Sequence, residues 1–325
     1  MFNRRQILAG ASGAAAAALA PRGAFAQAFP AKPISMIVAF HAGGGTDIAA
    51  RSIARYMEKY LGGGASIGVV NRPGGGGETG WTQVAQAAPD GYTIGFINAP
   101  AFISLMVEKQ PKYSLDSFSP IGGLVYDPMI LAVRKESEFK TIADVVKFAK
   151  EKPGQLSIGT TGASGNSEHL GMLQVERATG AKFNFVHFGS TAPMQQALLG
   201  GHLPVGTIGL SEGIALHRAG TLRILGAFSE SRYPFAPDVP TVKEQGIEAL
   251  SGSSRGIAGP AGIPAPILKQ LQDALKSAAA DPEYVENAKK ADIPLRYMAP
   301  DEYLAWMRKT HADLKEIWAA TPWKT

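Results

Sequence analysis

Two stretches of this sequence place glycines and small hydroxyl residues directly after a β-rich run. Gly43-Gly44-Gly45-Thr46-Asp47 follows Phe40, His41 and Ala42. Gly159-Thr160-Thr161-Gly162-Ala163-Ser164-Gly165-Asn166-Ser167 repeats the context in the middle of the chain. Each opens onto a helical pattern. Glycine lets a backbone approach a ligand closely, and the first-turn N–H groups of a helix have no partner within it. Those amides and the helix dipole favour an anion. The hydroxyls of Thr160, Thr161, Ser164 and Ser167 add donors that rotate toward ligand oxygens. Taken alone, the first stretch reads equally well as a plain strand-to-helix turn.

Catalytic patterns are missing. A hydrolase elbow needs Gly-x-Ser-x-Gly, and Gly162-Ala163-Ser164-Gly165-Asn166 fails at its last position. Gly75-Gly76-Gly77-Glu78-Thr79-Gly80 matches Gly-x-Gly-x-x-Gly, but four consecutive glycines make that match cheap. No acid follows about 20 positions on, so a flexible surface loop is the better reading than a dinucleotide site. There is no Gly-x-x-x-x-Gly-Lys-Ser/Thr loop and no His-Glu-x-x-His helix. The six histidines show no ligand spacing, and zero cysteines exclude thiolate metal sites and cysteine nucleophiles. No metal and no cofactor is expected. His41 and His187 stand out because each ends a predicted strand. Arg255 could meet an anion, but a structural ion pair is the favoured reading.

The elements that must position these residues alternate. Strands are expected over 34–40, 66–71, 92–97, 156–159, 184–187, 205–208 and 223–227. Helices are expected from Thr46 or Asp47, as cap, to Leu61, then over 141–150, 166–179, 264–280, 282–291 and 301–320. In the first helix Ile48, Ile53, Met57, Tyr60 and Leu61 should share one face. Strands separated by helical stretches predict an α/β fold with parallel sheets and helices on both faces. Ligands in such sheets sit beyond the carboxyl ends of strands, so two anion-ready loops far apart suggest two lobes facing one cleft.

At 325 residues the chain has room for one large or two ordinary domains. Its formal charge is +5, from 32 basic and 27 acidic residues. Arg4, Arg5 and Arg22 fall within the first 26 residues, which contain no acid, so 29 bases face 27 acids in the remainder, a net of +2. That balance has no nucleic-acid footprint. Arg4-Arg5, the 14-residue apolar run 7–20 and Ala24-Phe25-Ala26 form an export signal cut after Ala26. The run is too short to span a membrane, and Asn3-Arg4-Arg5-Gln6-Ile7-Leu8 approximates a twin-arginine signal.

Several blocks then add up. Lys32-Pro33-Ile34 with Ile37 to Asp47, Val70-Asn71-Arg72-Pro73-Gly74-Gly75-Gly76-Gly77, and Ala87-Ala88-Pro89-Asp90-Gly91-Tyr92-Thr93 are three of them. Leu198-Leu199-Gly200-Gly201-His202, Pro237-Asp238-Val239-Pro240-Thr241 and Pro260-Ala261-Gly262-Ile263-Pro264 are the others. In this order they resemble the Bug-type substrate-binding proteins of tripartite tricarboxylate transporters, over nearly the whole chain after the leader. The resemblance implies a two-domain Venus-flytrap fold of the periplasmic binding proteins, each lobe a mostly parallel sheet flanked by helices. It implies domain 1 over 27–124 plus 228–325 and domain 2 over 125–227, with hinge strands near 123–126 and 226–229. It also implies a monomer in the periplasm that binds a small carboxylate in the interdomain cleft and delivers it to an inner-membrane permease.

Carried over by position, the ligand contacts are Phe40, His41, Ala42, Gly43, Gly44, Gly45, Thr46 and Asp47, with Asn98. Asp47 is expected to cap its own helix while Thr46 faces the ligand. Opposite them stand Thr160, Thr161, Gly162, Ala163, Ser164, Gly165 and Ser167, then His187, Phe188, Gly189, Ser190 and Ser211. His41 replaces a small residue or proline, and Phe188 replaces a tyrosine. The segment ending at Ser211 lacks an aspartate that contacts the polar end of some family ligands, which favours a ligand without a cationic end. Two rivals stay open: a co-receptor presenting the same acid to a membrane sensor, and a secreted α/β hydrolase.

Overall fold

The computed structural model describes residues 29–320 and 322–323. The export signal expected over 1–26, with its twin arginines and Ala24-Phe25-Ala26, lies outside the described residues.

The first half is built on β1 (Ile34–Val38), with β2 (Ile67–Asn71) and β3 (Thr93–Ala99) parallel on either side. Isoleucine, methionine and valine dominate β1, and Ile34, Met36, Ile37 and Val38 are all buried. Such a run suits a strand covered on both faces. Helix α1 (Gly45–Leu61) buries Ala49, Ala50, Ile53, Ala54, Tyr56 and Met57. Ile48 and Tyr60, expected on that face, are exposed. The inner stripe runs through small alanines because a C-terminal helix, Ala265–Ala279, packs closely against it.

The strand β4 (Phe118–Arg134) was not expected from sequence. It runs 17 residues and serves both halves of the molecule. Up to Pro128 it pairs antiparallel with β9 (Gly252–Pro260); from Met129 onward it pairs antiparallel with β7 (Val205–Gly209) and β8 (Leu222–Ala227). β9 also pairs antiparallel with β3. In the second half β5 (Ser157–Thr161) lies parallel to β6 (Asn184–Phe188) and β7. Parallel pairing therefore holds within each half, and the strands that join the halves run antiparallel. The result is a mixed α/β protein with a curled sheet.

Each half has its own core. Ile34, Met36, Val38, Ile53, Phe96 and Leu271 belong to one cluster; Leu131, Val133, Ile158, Val175 and Val205 belong to another. Phe228, Val242, Ile247 and Ala249 join the second cluster. Residues 228–249, assigned by sequence to domain 1, thus pack on the second half. The reason is that the chain returns to the first sheet only at β9, not at the end of β8. A third cluster unites Trp81, Phe102 and Tyr303 with Leu170 and Trp323, bridging the halves.

Candidate functional site

A cavity of about 90 Å³ lies between the two halves. That is several times the roughly 10–15 Å³ one ordered water requires, so the space suits a small molecule. From the first half, Phe40, His41, Gly44, Gly45, Thr46, Asp47 and Asn98 line it. From the second come Thr161, Gly162, Ala163, Ser164, Ser167, Gly189 and Ser190. The two loops singled out by sequence therefore meet at one space.

The first loop is shaped from within. Gly43 has φ +83°, a left-handed conformation, and Gly44 is extended as N-cap of α1. The helix starts at Gly45, so neither Thr46 nor Asp47 is its cap. Asp47 sits in the first turn and reaches back, accepting from the Gly43 amide at 3.0 Å, from Arg51 Nε at 3.0 Å and from Asn71 Nδ2 at 2.9 Å. Burial alone would raise its carboxyl, but these hydrogen bonds outweigh it and hold Asp47 below the usual carboxylate range. Thr46 Oγ1 accepts from Asn98 Nδ2 at 2.6 Å.

The second loop ends at Asn166, whose Oδ1 accepts from the His169 amide at 2.8 Å and caps helix α5 (Ser167–Thr179). The Asn166 side-chain amide also donates to the Thr161 carbonyl. A third helix N-terminus joins them. Helix α6 (Thr191–Leu199) begins behind Ser190, whose side chain makes no capping bond. Ser190 and Thr191 line the cavity.

Other expected contacts lie behind the wall. Thr160 is fully buried, its hydroxyl 2.6 Å from His187 Nδ1, and the His187 ring stands edge-on to His169. The Gly165 amide donates to His169 Nδ1, and its carbonyl accepts from Ser104 across the cleft. Phe188 packs on the apolar cluster of Met194 and Ile208. Ala42 and Gly43 are exposed at the loop's outer side, and Ser211 donates to Asp127. These seven shape the loops and do not line the cavity.

The glycine run read as a surface loop also differs. Gly76, at φ +70°, lines the cavity, and a Cβ there would come within 2.9 Å of Ala163 Cβ across the cleft. Only glycine permits this approach.

Sequence reasoning singled out Arg255, favouring a structural ion pair, but named neither its partner nor the other acids of the site. Arg255 and Asp127 form a buried ion pair at 3.1 Å. Arg255 also lines the cavity, lying over Gly45, so the ion pair and the anion-facing cation are one residue. Burial pushes the Asp127 carboxyl up, against the charge of Arg255 and two hydrogen bonds from Ser211. Glu212 opens helix α7 (Leu210–Arg218) and crosses the cleft. Its Oε1 accepts from the Gly45 amide at 3.1 Å and from Thr191 Oγ1 at 2.8 Å; its Oε2 accepts from the Gly209 amide at 3.2 Å. Glu168, in the first turn of α5, is buried in the cavity wall. Burial first, with the charge of Glu212, pushes it up to about 7 against hydrogen bonds from its own amide and Ser167. With Glu168 and Glu212 in the wall, the lack of an aspartate near Ser211 no longer argues against a cationic ligand end. The only sequence signal was the position of Glu168 near a predicted helix start, which capping explains as well; no helix is expected from sequence around Glu212 or Asp127.

Among the described residues, no group of three His, Asp or Glu side chains could hold a metal ion. No described helix is long and apolar enough to cross a membrane.

A family model described as "Tripartite tricarboxylate transporter family receptor" matches residues 49–321. A protein of Cupriavidus necator, "UPF0065 protein in gbd 5'region", is 31% identical over 319 residues, covering 97% of this chain and 95% of that protein. Among solved structures, the periplasmic binding protein BugD superposes with a TM-score of 0.83 at 29% identity, over 91% of this chain and 99% of that one. MatC from Rhodopseudomonas palustris with bound malate gives 0.80 at 25% identity, over 89% and 99%.

Proposed function

Because the chain belongs to the tripartite tricarboxylate transporter receptor family, we propose that it captures a small carboxylic acid in the interlobe cleft after export to the periplasm. It then delivers that acid to a membrane permease and performs no chemistry of its own. The observation that carries this reading is the convergence of three helix N-termini, at Gly44–Thr46, Asn166–Glu168 and Ser190–Thr191, on one cavity. Helix N-termini attract anions through unpaired amides and the helix dipole. Arg255 adds a cation, and Thr161, Ser164 and Ser190 add hydroxyl donors that a carboxylate accepts. The relative MatC, solved with malate, supports an organic acid as ligand.

A thermal-shift screen of carboxylic acids tests the reading. A cognate acid at 100 times its dissociation constant stabilises the protein by about 2.7 kcal/mol. The amide of that acid should not. A screen in which amides and acids shift the melting temperature equally rejects anion capture.

A further inference from the structure

Two buried polar atoms in the cavity wall have no hydrogen-bond partner, and they are of opposite kind. Arg255 Nε is a donor and Asn98 Oδ1 is an acceptor; each residue is only 5% exposed. A polar group buried without a partner is costly, and ligand sites are where such groups gather. The charge around them is also two-sided. Asp127 is occupied by Arg255 and Ser211. Asp47, which also lines the cavity, is held by Gly43, Arg51 and Asn71. That leaves Glu168 and Glu212 as the other carboxylates lining the same cavity as Asn98. A ligand carrying only carboxylates would satisfy Arg255 but leave Asn98 Oδ1 unpaired. It would also place like charge against Glu212, and like charges resist sharing a site.

Building on the carboxylate reading, we propose that the cleft selects a zwitterion. Its carboxylate meets Arg255 and the hydroxyls of Thr161 and Ser164. Its ammonium, or another cationic donor, meets Asn98 Oδ1, Glu168 and Glu212. The Glu212 carboxylate already holds the Gly45 amide. One amide of the α1 N-terminus is therefore served by the protein's own anion, and the Glu212 carboxylate is held in place to receive a cation.

Calorimetric titration of the purified protein tests the assignment. The probes are matched acids of three to six carbons, each carrying an ammonium, a hydroxyl or a second carboxylate at its α or ω carbon. In the best-binding set, the ammonium acid should bind at least tenfold tighter than the dicarboxylate. Glu212→Gln and Glu168→Gln should each reduce that ratio more than fivefold, with thermal melts confirming that both variants fold. A dicarboxylate that equals or exceeds its ammonium counterpart in every set overturns the proposal and leaves carboxylate capture standing. A ratio that survives both substitutions also overturns it. Silence from every acid rejects carboxylate capture itself, and the zwitterion with it.

Discussion

The backbone amide of Gly45 donates to Glu212 Oε1 at 3.1 Å, although 167 positions separate the two residues. One belongs to the helix that opens the first half, the other to a helix of the second. The contact ties the halves across the binding cavity, which both residues line. Hydrogen bonds to charged groups contribute about 1.5–3 kcal/mol. We propose that the halves close as lobes, with this bond favouring the closed form. Glu212→Ala should then enlarge the radius of gyration of the ligand-free protein in small-angle scattering, and saturating ligand should shrink it again. An unchanged radius in both states would count against closure.

The loops themselves can be probed by adding atoms or removing them. A Cβ at Gly44 would meet nothing nearer than the His41 carbonyl oxygen at 3.8 Å. Gly44→Val should therefore fold normally yet intrude on the cavity and remove most of the affinity. Thr161→Ala and Ser164→Ala each delete one hydroxyl and should cost about 1–2 kcal/mol, roughly 5- to 30-fold in affinity. Calorimetry with the best acid from the screen reads all three. Parent-like binding by Gly44→Val would remove the first loop from the site.

Glu168 sets a pH signature. Its folded value of about 7 lies above the ordinary 4.5. The native state then holds a proton the unfolded chain has released, so its stabilising effect is complete below 4.5 and is lost as pH rises through 7. A shift of that size corresponds to about 3 kcal/mol. His169 works the other way. Burial, and then His187, lowers it to about 4, so the stability it confers is present above 6.5 and lost as pH falls through 4. The difference between wild type and Glu168→Gln isolates the first effect. In urea unfolding, wild type should lose stability relative to the variant between pH 4.5 and 7. A flat difference would place Glu168 outside the buried wall.

Export is read from Arg4-Arg5, the apolar run and Ala24-Phe25-Ala26. The protein recovered from the periplasm should begin at Gln27, and N-terminal mass analysis checks this. A recovered chain that keeps Arg4-Arg5 would be inconsistent with cleavage.

Local chemistry was legible in the sequence because it is local. The helix expected over 141–150 forms over Ile142–Glu151, closed at its start by a capping box between Thr141 and Asp144. The strands around β1 and β5 follow their β-branched runs, and both glycine-hydroxyl loops turn strands into helices. What escaped was whatever depended on a distant partner. β4 mixes Pro120, Gly122, Gly123 and Pro128 with its apolar residues, and its unbroken course depends on pairing with β9, β7 and β8. Residues 228–249 follow the second core because Phe228, Val242 and Ile247 find their contacts there. The acids of the site, and the partner of Arg255, were hidden for the same reason. Arg255, Asp127, Glu168 and Glu212 lie far apart along the chain, and nothing near any one of them names the others. Glycine, hydroxyl and helix start are properties of a few neighbouring residues, so the sequence alone determined that two anion-ready loops exist. Only tertiary structure decided that they face one cavity and that Asp47, Glu168 and Glu212 share it, because burial and Coulomb interaction depend on distance in space and not along the chain.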